Sequence, residues 1–159
     1  MKLFISSIFL LLLAPCNSEQ KLSSTTTTNN YSTTTILFAE TPCYGNCPIY
    51  VLTLDGKTMT ATYKGEANTE KIGTYTKAIT NEEFAQFMSA VENANFNKLD
   101  NEYLGNIPDF PIRETTLTVD GKAKKVRNRS QGPKELEAKE KVFRDYALTE
   151  GWKKQEEGH

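Results

Sequence analysis

The chain has 159 residues, with 19 Lys and Arg against 20 Asp and Glu, a net charge of −1 and a single histidine. A balance this close to neutral gives no electrostatic footprint for nucleic acid. The one histidine is the final residue, His159, which argues against a Ser-His or Cys-His catalytic arrangement, and no Gly-rich phosphate loop is present.

The N-terminus reads as an export signal. Residues 3–13 are apolar except Ser6 and Ser7. That length suits a signal-peptide core and falls short of the ~20 apolar residues of a membrane-spanning helix. Leu13-Ala14-Pro15-Cys16 then resembles a bacterial lipobox, in which Cys16 is acylated after removal of residues 1–15. Pro15 departs from the small residue usual before that cysteine, and plain cleavage would give a secreted protein instead. Acylation predicts attachment to the membrane through lipid, since two or three chains hold stably where one, at ~0.8 kcal/mol per methylene, holds weakly. Residues 16–35 form a Ser/Thr-rich tether too polar to offset the entropy of ordering, although its last threonines have strand propensity.

Residues 36–150 are one domain's worth of chain, followed by a tail over 151–159. Ile36-Leu37-Phe38-Ala39 predicts a first strand, and residues 49–54 a second. Asp55-Gly56 signals a two-residue hairpin with positive φ, returning over 58–64. A further strand is expected over 70–77 through Ile72 and Tyr75. Thr80-Asn81-Glu82-Glu83 is a capping box flanked by Ile79 and Phe84, and Phe84, Phe87, Met88 and Val91 fall on one helical face. This helix should fade near residues 93–95, giving way to a loop over 97–111 that carries Asp100, Glu102 and Asp109. A second hairpin turns at Asp120-Gly121, between arms at 115–119 and 122–127. Pro133 suits the first position of a last helix whose buried face is Leu136, Phe143, Tyr146 and Ala147. Trp152, after Gly151, is placed to fold back. The order predicts an α+β domain: an antiparallel sheet built from hairpins with two amphipathic helices packed on one face. The echo between residues 52–57 and 117–122 is too short to establish a duplication.

Three cysteines divide naturally into one for lipid, Cys16, and two for each other, Cys43 and Cys47. A tight turn at Gly45-Asn46 would bring the latter pair to the ~5.5 Å Cα separation a disulfide prefers, and in an oxidising compartment the bridge would persist. Three readings of the segment stay open: a structural staple, a rigid loop presenting Tyr44, Asn46 and Tyr50 for recognition, and redox or Cu(I) chemistry at Cys43 and Cys47. The last resembles the copper site of chaperones serving cytochrome oxidase, which also need a distant histidine on a thioredoxin-like fold. Lys122, Lys124, Lys125, Arg127 and Arg129 along the second hairpin could meet anionic polysaccharide or lipid headgroups, or form a solvated edge strand whose lysines block aggregation. Asp100, Glu102 and Asp109 lack calcium-loop spacing.

Thr41-Pro42-Cys43-Tyr44-Gly45-Asn46-Cys47-Pro48-Ile49-Tyr50 resembles the opening motif of a bacterial family, domain of unknown function 6438, common in predicted lipoproteins of Bacteroidota. Tyr103 and Asp109-Phe110-Pro111 fit a further Tyr and Asp-x-Pro element. The resemblance covers about residues 36–148 and implies a domain boundary and an envelope location, with no cofactor or catalytic residue to carry over. The resulting expectation is a cell-envelope lipoprotein, on the periplasmic or surface face. It would be a non-enzymatic binding or structural module contacting an envelope protein or glycan through Tyr44, Asn46, Tyr50 and Asp109. The alternatives are a thiol-disulfide or Cu(I)-handling protein and an inhibitor of an envelope hydrolase.

Overall fold

A computed structural model describes residues 31–106 and 109–156. The export segment, Cys16 and His159 lie outside the described residues. The fold is α+β, with an eight-stranded sheet in the order β5-β7-β6-β1-β2-β3-β4-β8. Its strands are β1 (Thr34–Glu40), β2 (Ile49–Asp55), β3 (Thr60–Ala67), β4 (Gly73–Ala78), β5 (Glu102–Tyr103), β6 (Arg113–Val119), β7 (Lys122–Asn128) and β8 (Lys153–Lys154). The helices are α1 (Asn81–Asn93) and α2 (Lys134–Ala147). All neighbours pair antiparallel except β5 with β7, which run parallel.

β1 begins at Thr34 rather than Ile36, because Thr34 and Thr35 pair with Val119 and Thr118 of β6. Strand alternation then sends Thr34, Ile36, Phe38 and Glu40 to the buried side. Tyr50, Leu52 and Leu54 of β2, Ala61 and Tyr63 of β3, Leu117 of β6 and Val126 of β7 are buried with them. Phe84, Phe87 and Val91 of α1 and Leu136, Phe143, Tyr146 and Ala147 of α2 complete the core. Phe143 stacks on Phe38 at 5.5 Å between ring centroids and on Phe87 at 5.6 Å.

The helix starts divide between local and tertiary control. At α1 the capping box forms in full: the Glu83 amide donates to Thr80 Oγ1 at 3.1 Å, and the Thr80 amide donates to Glu83 Oε2 at 2.8 Å. Thr80→Ala is therefore expected to cost ~1 kcal/mol, read as a lower urea midpoint with an unchanged m-value. At α2, Pro133 is the N-cap in extended conformation rather than the first helical residue. The turn before it is held instead by Asn128 Oδ1, which accepts from the amides of Gln131 and Gly132 at 3.1 and 3.0 Å.

The two Asp-Gly hairpins differ. At Asp120-Gly121 both residues take positive φ, 51° and 73°, as a two-residue turn requires. At Asp55-Gly56 the connection runs four residues, and the positive φ falls on Met59. Asp55 Oδ1 accepts from the amides of Lys57 and Thr58, a side-chain turn that displaces the tighter one. Gly56 serves a close approach here: a Cβ on it would stand 2.3 Å from the Tyr31 carbonyl oxygen. Residues 97–111, expected as loop, contribute β5 as well as a 3-10 turn (Phe96–Lys98) that buries Phe96. Trp152 folds back as expected, against Tyr63 at 5.8 Å and Tyr146 at 5.7 Å, and delivers β8 to the edge of β4.

Candidate functional site

At one end of the sheet, β1 runs into the cysteine segment. Cys43 and Cys47 are joined by a disulfide, with Cα atoms 5.9 Å apart. In this oxidised state neither offers a thiolate to a soft metal. The Gly45 amide donates to Cys43 Sγ at 3.2 Å, and Asn68 Nδ2, from the β3–β4 connection, donates to the Cys47 carbonyl at 3.1 Å. Tyr44 projects from this loop at 84 % exposure and Asn46 is also exposed. The neighbouring segment that carries exposed Asp109 returns to the same end of the sheet: the Thr41 amide donates to the Ile112 carbonyl, and the Ile112 amide to Thr41 Oγ1.

Tyr50 behaves differently from Tyr44 and Asn46. It points inward, 5 % exposed, stacked on Tyr63 at 5.0 Å, and burial holds its phenol well above the usual range. It lines a cleft of about 340 Å³ behind the disulfide loop, walled by Glu40, Pro48, Tyr63 and Thr69, by Lys141, Arg144, Asp145 and Ala147 of α2, and by Leu148 just beyond it. Gly65 lets the far wall close: a Cβ there would meet the Lys71 carbonyl oxygen at 1.7 Å. The Tyr63 hydroxyl bonds Thr69 Oγ1 at 2.5 Å, and burial again raises its pKa.

Glu40 is the unusual group in this cleft. It is 5 % exposed, and no hydrogen bond from a described residue reaches its carboxylate. Arg144 Nε, itself buried without a hydrogen-bond partner, stands 4.0 Å from Glu40 Oε1. Burial raises the Glu40 pKa, opposed by Arg144 and then by Arg113. Lys141 and Asp145, four residues apart on the exposed side of α2, pair with each other at 2.5 Å.

A second polar cluster lies deeper. Glu140, 1 % exposed, takes Arg113 Nη1 at 3.1 Å and both oxygens accept from Asn128 Nδ2, at 3.1 and 2.9 Å. Arg113 also donates to Ser130 Oγ. Lys139, equally buried, donates to Thr115 Oγ1 at 2.8 Å and lies over the Phe96 ring at 4.4 Å. Burial is the main cause of both shifts, raising Glu140 and lowering Lys139. This cluster joins β6, β7 and α2 through buried side chains and acts as an internal brace.

Sequence reasoning found the disulfide and the exposed loop and missed Glu40, Tyr63 and Arg144. Parity was the available signal: Glu40 follows Ile36 and Phe38 in steps of two, which places a carboxylate on the core face. Two of the five basic residues of the second hairpin are paired with acids, and a third is held by neutral acceptors. Lys125 and Arg127 pair with Glu114 at 2.9 Å, Arg127 pairs with Glu102 at 2.8 Å, and Lys124 donates to the Leu99 carbonyl and Asn101 Oδ1. Glu102 is thereby committed to Arg127, and no cluster of three or more metal-ligating side chains occurs among the described residues.

The family model described as a domain of unknown function, DUF6438, matches residues 34–147. The chain belongs to the DUF6438 family. The matched span runs from the first residue of β1 to the last of α2, so this DUF6438 domain contains the disulfide loop, most of the cleft wall and the internal brace. Trp152 and β8 lie beyond it. No curated protein matches the chain.

Proposed function

We propose that this chain is exported, anchored through acylated Cys16, and displays its DUF6438 domain in the cell envelope as a non-enzymatic binding module. The Cys43–Cys47 bridge carries the reading. A disulfide closing so few residues in an exposed loop persists where the surroundings are oxidising. Its effect is to hold Tyr44 and Asn46 in one shape, which lowers the ordering cost of a contact made through them. Both helices are read as covering one face of the sheet: Phe38 of β1 and Phe87 of α1 both stack on the same α2 side chain, Phe143. The loop and the cleft then share the end of the sheet where Glu40 lies.

Intact mass of the protein from its native host, before and after reduction, tests compartment and anchor together. The expected mass lacks residues 1–15, includes acyl chains on Cys16, and rises by two hydrogens on reduction. Free thiols in that preparation would overturn the reading. Crosslinking in intact cells tests the surface: Tyr44→Ala with Asn46→Ala should lose a captured envelope partner that the unaltered protein retains, and an unchanged partner set would remove the loop from the binding role.

A further inference from the structure

Glu40 is more than nine-tenths buried, lines an open cleft, and receives no hydrogen bond from a described residue. Arg144 Nε faces it from 4.0 Å, beyond hydrogen-bond range yet too close for an intervening shell of solvent. Arg144 Nε is buried without a hydrogen-bond partner, and the Glu40 carboxylate is held only by this long ion pair, so a third group in the cleft that bonds both would lower the cost of burying them. We propose that a neutral, hydroxyl-rich ligand of the sugar class binds this cleft through Glu40 and Arg144, which rests on the reading of the domain as a binding module.

The chemistry favours hydroxyls for three reasons. A hydroxyl accepts and donates at once, so neighbouring hydroxyls can accept from the guanidinium while donating to the carboxylate. The four charged side chains of the lining, Glu40 and Asp145 against Lys141 and Arg144, cancel, so neither an anion nor a cation gains a net field. Lys141 and Asp145 satisfy each other, which leaves Glu40 and Arg144 for the ligand. The remaining wall is apolar through Pro48, Ala147 and Leu148, the last 72 % exposed at the rim, and would meet the C–H face of a ring. A volume of about 340 Å³ sits at the small end of the ~300–1,000 Å³ usual for small-ligand sites.

The test uses the full mature, oxidised protein against three probe sets: neutral mono- and oligosaccharides, their uronic-acid counterparts, and uncharged peptides. Trp152, the chain's one tryptophan, reports through its contact with Tyr63 on the cleft wall. The expected result is a saturable fluorescence change with at least one neutral saccharide, more than tenfold weaker binding of its uronate, and more than tenfold loss in Glu40→Gln and in Arg144→Met at unchanged melting temperature. Arg144 is partly exposed, so its variant keeps the test available if Glu40→Gln misfolds. Binding by peptides alone, no binding by any neutral saccharide, or affinity unchanged in both variants overturns the proposal. Those outcomes leave the disulfide, the anchor and the Tyr44–Asn46 surface to stand or fall on their own mass and crosslinking results.

Discussion

Glu140→Ala is expected to destabilise the domain by ~3–5 kcal/mol, the range for removing one partner of a buried ion pair. The variant strands Arg113, 7 % exposed, with only Ser130 as a side-chain hydrogen-bond partner among the described residues, and leaves the fully buried Asn128 amide without its acceptor. Asn128 also holds the turn into α2, so the loss spreads to the helix start. A urea titration reads it as a fall in midpoint at constant m-value. Replacing both charges, in Arg113→Met with Glu140→Leu, should recover part of the loss because Arg113 is then not left buried without its carboxylate, while Lys139 and the Asn128 amide still lose Glu140. A Glu140→Ala midpoint equivalent to less than ~1 kcal/mol of destabilisation would mean that the brace contributes little more than an ordinary net hydrogen bond.

Lys139→Met is expected to act in the opposite direction. Methionine keeps the length of the side chain over Phe96 and removes an amine whose only hydrogen-bond acceptor among the described residues is Thr115 Oγ1. Stability at neutral pH should be unchanged or higher, since buried charge is often replaced by an apolar group without loss. The pH dependence gives the sharper readout. Burial lowers the folded pKa of Lys139, with Glu140 opposing. Between that lowered value and the unfolded ~10.4, the unfolded chain holds a proton the folded one lacks, so wild-type stability rises with pH by at most ~1.4 kcal/mol per unit. Lys139→Met should lose that slope. Urea midpoints from pH 7 to 9.5 measure it, below the range where the raised tyrosines contribute. Glu140 works the other way: its raised pKa makes stability fall as pH climbs from ~4.3 toward the folded value. Parallel wild-type and Lys139→Met curves above neutrality would show that Lys139 stays protonated in the folded state.

Much of the scaffold was legible wherever local chemistry decided it. The Thr80–Glu83 box and the Asp120-Gly121 turn formed as read, because each is completed by residues a few positions apart. Asp55-Gly56 carried the same signal and formed a longer connection, since the Asp55 side chain captured two amides and Gly56 was needed against Tyr31. The buried polar residues of α2 were half legible. Lys139 and Glu140 sit three and four residues after Leu136 and before Phe143, squarely on the apolar stripe. That spacing places them inside, while their charge argues for solvent. Only Thr115, Asn128 and Arg113, brought over by β6 and β7, make the inside tolerable.

From its own order of residues the chain determined the succession of its longer strands and both helices, which side of β1 and α2 is buried, and that Cys43 and Cys47 lie close enough to join. Those properties depend on spacing within a few residues, which a linear string records directly. The cleft was decided by tertiary structure alone. Glu40, Tyr63 and Arg144 come from β1, β3 and α2, and no local pattern links them. Whether Glu40 finds a donor depends on how the end of α2 settles against the sheet, and that packing leaves Arg144 Nε 4.0 Å away, short of a hydrogen bond.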